Sequence, residues 1–99
     1  MLFASMYTYR ASMTEESQKR LTDLFVGWQP PKGFAFKAHY ALADGSGGIA
    51  LIEADTEAAL YEGSVPWAPF LEFRTVPVVE IDKAVPIAMG VMAWRKSVK

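Results

Sequence analysis

The segment His39-Tyr40-Ala41-Leu42-Ala43-Asp44-Gly45-Ser46-Gly47-Gly48-Ile49-Ala50-Leu51-Ile52-Glu53 constrains the fold more than any other, because it sets two apolar runs on either side of a Gly-rich reversal. Asp-Gly followed by Ser-Gly-Gly supplies residues that tolerate positive φ, which a tight turn between antiparallel strands demands. The runs on either side have strand composition, so the segment predicts a β-hairpin. It also carries the chain's only histidine.

Upstream, Leu2 to Tyr9 alternates Leu2/Ala4/Met6/Thr8 with Phe3/Ser5/Tyr7/Tyr9. Neither set is strongly polar, so both faces meet protein and the strand is central. Ser12 or Thr14 then offers an N-cap, Glu15 and Glu16 suit the positive end of a helix dipole, and Leu21, Leu24, Phe25 and Trp28 recur at helical spacing. A helix over about 14–27 follows, stopped by Pro30-Pro31-Lys32-Gly33. The next strand covers 34–43, and strict alternation sets Phe34, Phe36, Ala38, Tyr40 and Leu42 on one face against Ala35, Lys37, His39 and Ala41 on the other.

After the hairpin, 49–53 is a third strand, and Asp55 or Thr56 caps a short helix that Gly63 and Pro66 end. A fourth strand covers 71–80, and Pro77 within it implies an edge position or a bend, since proline donates no ladder hydrogen bond. Asp82 caps a last helix with Pro86 in its first turn. That helix is apolar on more than one face, which predicts packing on more than one side.

The order β-α-β-β-α-β-α predicts an α+β fold, ferredoxin-like, with a four-stranded antiparallel sheet plus a C-terminal helix. Residues 1–99 make one domain, with no repeat or linker. Two helices cover one face of such a sheet, and the apolar second face needs a partner, most simply another copy in a homodimer with sheets face to face.

Ten basic and eleven acidic residues leave no basic footprint for nucleic acid. The apolar run from Val85 to Trp94 is about half of a membrane span. The chain has no cysteine, which removes disulfides and thiolate chemistry and suits a reducing compartment, so a soluble cytoplasmic protein is expected.

A set of ordered motifs resembles a family of small bacterial proteins, domain of unknown function family 3303, within the dimeric α+β barrel group. They are Trp28-Gln29-Pro30-Pro31-Lys32-Gly33, Ala38-His39-Tyr40, Ala43-Asp44-Gly45-Ser46-Gly47-Gly48, Pro66-Trp67 with Leu71-Glu72-Phe73, and Pro77-Val78-Val79-Glu80-Ile81 with Ala84-Val85. The resemblance covers about residues 20–95 and implies a fold and a dimer. The wider group includes cofactor-free monooxygenases, haem-degrading enzymes, isomerases and cyclases, too broad a range to transfer a reaction.

His39 titrates near neutrality and can serve as a general base, or it can be a buried histidine bonded to a neighbour. Tyr40 or Tyr7 can donate a hydrogen bond beside it, and Trp28 and Trp67 can form the walls of an apolar pocket. Trp28 also fits core packing, while Trp67, between two prolines, suits a pocket rim or a dimer contact. Arg74, with Arg10 and Glu72, can hold an anionic ligand, although salt bridges are the commoner use. One histidine and scattered carboxylates form no metal-ligand spacing. The loop after Asp44 leads into a strand and not a helix, so it lacks the setting of a phosphate cradle.

Two functions lead, with a peroxide- or haem-handling barrel as a third that an unchanged spectrum on haemin titration would exclude. The first is binding, and cofactor-independent conversion, of a small organic molecule, ring-bearing ones being suited to the aromatic set. The second is a non-catalytic interaction protein. A cavity of about 300 Å³ or more remaining beside His39 after the dimer forms separates them, and without one the interaction reading wins.

Overall fold

The central strand is β1 (Leu2–Tyr9), which pairs antiparallel with β3 (Gly47–Ala54) on one side and β4 (Leu71–Pro77) on the other. Addition of β2 (Phe34–Ala41) to β3 completes the sheet order β2-β3-β1-β4. This computed structural model describes every residue from Met1 to Lys99. With α1 (Glu15–Gly27), α2 (Glu57–Ser64) and α3 (Ile81–Ser97), the element order is the expected ferredoxin-like one with a C-terminal helix.

Local chemistry explains the boundaries. Thr14 is the N-cap of α1: its side chain accepts from the Ser17 amide at 3.1 Å, and the Ser17 hydroxyl accepts from the Thr14 amide in return. Thr56 caps α2 in the same way, accepting from the Ala59 amide at 3.1 Å. A 3₁₀ turn over Val65–Trp67 follows α2 and leads into β4. Pro77 is the last residue of β4, on an edge strand, where its missing N–H breaks no ladder.

Phe3, Phe34, Ala50, Ile52 and Ala54 form the core between sheet and helices, with Trp28, Phe36 and Leu60 packed on it. Gly63 sets the approach of α2, because a Cβ there would stand 2.4 Å from the Phe34 ring.

Three expectations need correction. Only Gly45 in the hairpin has positive φ (79°), whereas Gly47 and Gly48 lie inside β3, which begins two residues before the expected start. Those two glycines answer close approach: a Cβ on Gly47 would sit 1.9 Å from the Tyr7 carbonyl oxygen.

Second, alternation along β2 is interrupted. Phe36 faces Ile52 and Ala38 faces Leu51, so Lys37 has no opposite and forms a β-bulge. Beyond it the faces exchange, and His39, opposite Ala50, joins Phe34 and Phe36 on the helix side, while Ala38 and Tyr40 join Leu51 and Ile49 on the open side.

Third, α3 packs on nothing: none of its residues is buried. The helix carries the molecule to 60 × 30 × 20 Å and a radius of gyration of 17.6 Å, against roughly 13 Å for a compact chain of this length. Its apolar circumference implies a cover, and this single chain supplies none. The helix starts at Ile81, so Pro86 falls in its second turn and leaves the Asp82 carbonyl without its helical donor. No helix is long and apolar enough to cross a membrane.

Candidate functional site

Tyr7 and Gly48 are opposite each other on β1 and β3, and this pairing sets the geometry of the site. With no side chain at Gly48, the Tyr7 ring lies across β3; a Cβ there would come within 2.2 Å of the Tyr7 hydroxyl. Tyr7 Oη thereby reaches His39 Nε2 on β2, 2.6 Å away. The β2 bulge is the other requirement, because it turns His39 to this face. The two side chains belong to strands that do not pair with each other.

Aromatic rings flank the pair, in which Tyr7 is half-buried and His39 remains exposed to solvent. His39 stacks on Phe36 with centroids 4.7 Å apart and planes at 18°, and Phe25 from α1 meets it edge-on at 5.8 Å. Phe25 also contacts Trp67 at 5.5 Å, and Phe73 lies 5.9 Å from Tyr7. Trp67 is buried, with its indole N–H donating to the Gly63 carbonyl at 3.0 Å. Between these rings, under α1, is a cleft of about 200 Å³ with Ser5 at its floor. The Ser5 hydroxyl bonds that of Thr75 at 2.9 Å.

The volume is below the about 300 Å³ that separates the two functions and below the usual range for drug-sized ligands, which counts toward the interaction reading. It suffices for one ring, since an apolar cavity of about 150 Å³ holds benzene.

Desolvation lowers the His39 pKa from its ordinary value and raises that of Tyr7, the latter with help from the charge of Tyr9. Both shifts favour neutral groups. A neutral ring with its proton on Nδ1 accepts the Tyr7 hydroxyl proton at Nε2, leaving the phenol oxygen free to accept from a ligand. The pair is thus neutral at rest.

Of the residues singled out in the sequence, the structure brings Tyr7, His39 and Trp67 to this cleft. Trp28 stands behind it, packed on Trp67 at 5.2 Å and on Phe34 at 5.9 Å. Tyr40 is on the opposite face and 66% exposed, so it is not a donor to this site. Arg74 is likewise outside it, paired with Met6 on the open face. Arg10 is structural: its Nε donates to the Ala68 carbonyl at 2.8 Å, and it stands 3.7 Å from Glu72. Gly48 and Ser5 were missed; a glycine inside a strand is the signal that pointed to the first. No three His, Asp or Glu residues stand close enough to hold a metal ion.

The family model described as Domain of unknown function (DUF3303) matches residues 1–92. The chain belongs to the DUF3303 family. No protein of curated function matches it. The DUF3303 match takes in every residue of the cleft and most of α3, so both are parts of the family's domain.

Proposed function

We propose that this DUF3303 domain binds a small organic molecule of about one ring in the aromatic cleft, and that Tyr7 and His39 act on it as an acid–base pair without metal or organic cofactor. The observation that carries this reading is the 2.6 Å bond between Tyr7 and His39 inside a cleft walled by rings. Hydroxylated or carbonyl-bearing rings suit it best, because the Tyr7–His39 pair and the hydroxyls of Ser5, Tyr9, Thr22 and Ser64 supply hydrogen-bonding groups in an otherwise apolar lining. The cysteine-free composition supports a reducing compartment such as the cytoplasm, and the exposed apolar open face of the sheet supports a homodimer as the working form.

The test is a titration with phenol, benzaldehyde and cyclohexanol, followed by NMR of the His39 ring and the Trp67 indole. Saturable shifts that vanish in a folded Phe25→Ala variant support the reading. No shift with any of the three at millimolar concentration refutes it. A second reading, a non-catalytic assembly protein, is favoured by the small cleft volume and by the uncovered α3.

A further inference from the structure

Residues 84–94 of α3, Ala-Val-Pro-Ile-Ala-Met-Gly-Val-Met-Ala-Trp, form an uncharged stretch of three turns. At 100° per residue, Val85 and Met92 point one way, Ile87 and Trp94 nearly the opposite way, with Val91 and Met89 between them. Ile87, Met89 and Trp94 are all more than 60% exposed. A helix apolar all round is a buried helix.

The same chain has a second uncovered apolar surface. On the open face of the sheet, Met6, Ile49, Leu51 and Tyr40 are exposed side by side, with Ala4 and Ala38 between them. The charged residues of that face, Glu53, Glu72 and Arg74, are at its margins, as Lys83 and Arg95 flank the apolar run of α3. Both surfaces therefore have an apolar centre and a charged rim, the pattern of interfaces that persist.

Their dimensions agree as well. Seventeen helical residues extend about 25 Å, and eight-residue strands about 26 Å.

We infer that α3 is an exchanged arm: it seats on the open sheet face of a second copy of this chain, whose own α3 seats on the first. A sheet-against-sheet dimer would cover the sheet and leave α3 in water, whereas reciprocal exchange covers both surfaces with one twofold contact. A membrane surface is the poorer occupant, since interfacial helices pair a polar face with an apolar one and α3 has no polar face between Lys83 and Arg95. The inference is independent of what the cleft binds.

The cysteine-free chain makes the test direct. Met89→Cys or Met92→Cys is introduced into one tagged copy and Met6→Cys or Ile49→Cys into a differently tagged copy, and the pairs are co-expressed and oxidised. Disulfides joining the two tags are expected for at least one pair. In the double variant on one chain, the expected product is a covalent dimer. An intrachain loop as the main product means that α3 folds back on its own sheet and overturns the inference. So does cross-linking of Met6→Cys chains to each other with α3 left free, flotation of the wild type with anionic phosphatidylglycerol vesicles as a monomer, or no cross-link at all.

An orthogonal reading comes from Ile87→Lys/Val91→Lys. Light scattering is expected to report a monomer with unchanged helical and sheet circular dichroism, and a persistent dimer counts against the exchange.

Discussion

The two faces of the single sheet are both apolar, yet they are built to different standards. On the helix side, Phe34 and Ile52 are buried in the core, Phe25 of α1 meets Phe36 and Trp67, and the Ser5 hydroxyl and His39 Nε2 have partners. On the open side, Met6, Ile49 and Leu51 present comparable hydrophobicity with no partner within the chain. The difference teaches that strand composition reports burial somewhere, while ring geometry and hydrogen bonding report where burial has been completed by the chain itself.

The sharpest way to break that contrast is to truncate one residue on each side. Trp67→Ala is expected to cost about 3–5 kcal/mol, a large share of the stability of a small domain. Leu51→Ala is expected to cost less than about 1 kcal/mol in dilute solution, where urea denaturation reads the monomer. A Leu51→Ala cost that grows with protein concentration means the open face is covered by association; equal costs for both variants at all concentrations erase the distinction between faces.

Next in size is Gly48→Ala. Its Cβ collides with the Tyr7 hydroxyl and with the Tyr40 carbonyl, so a loss of about 1–3 kcal/mol is expected from overpacking. The His39 ring also loses its hydrogen bond, and its NMR signals are expected to move. A Gly48→Ala domain as stable as wild type, with His39 unmoved, contradicts the described path of Tyr7.

A smaller effect is expected from pH. Burial holds the His39 pKa below its ordinary value of 6.5, so the unfolded chain takes up the proton first. This contribution to stability is complete above about pH 6.5 and declines as pH falls through the folded pKa. The urea midpoint of the wild type is therefore expected to drop between pH 7.5 and 5.5 by more than that of His39→Gln. Equal drops mean that His39 is not held neutral.

The smallest effect belongs to a region outside both faces. Lys19 and Asp23 pair at 2.7 Å on the exposed side of α1, and Lys19→Ala is expected to change stability by less than about 0.5 kcal/mol. A larger loss indicates that this side of α1 is covered in solution.

Much of this architecture was legible. Capping residues, Pro77 and the hairpin composition located every element to within a few residues, because those signals act within one turn of the backbone. The bulge at Lys37 was not legible, since Ala35 and Ala41 are compatible with either face and nothing in an alternating run marks where it slips. The Tyr7–His39 contact spans a strand that pairs with both partners, so only the missing side chain at Gly48 hinted at it. For α3, the apolar circumference implied packing on several sides, and the single chain provides none of it, because periodicity reports that a helix is apolar and not what lies against it.

No residue of α1 is buried, although Leu21, Thr22 and Phe25 roof the cleft. Such a helix opens at lower free energy than the sheet beneath it. For any molecule held there, residence time is then governed by how often the roof lifts, so a substitution on the solvent side of α1 alters exchange kinetics while leaving the contacts of the bound state intact.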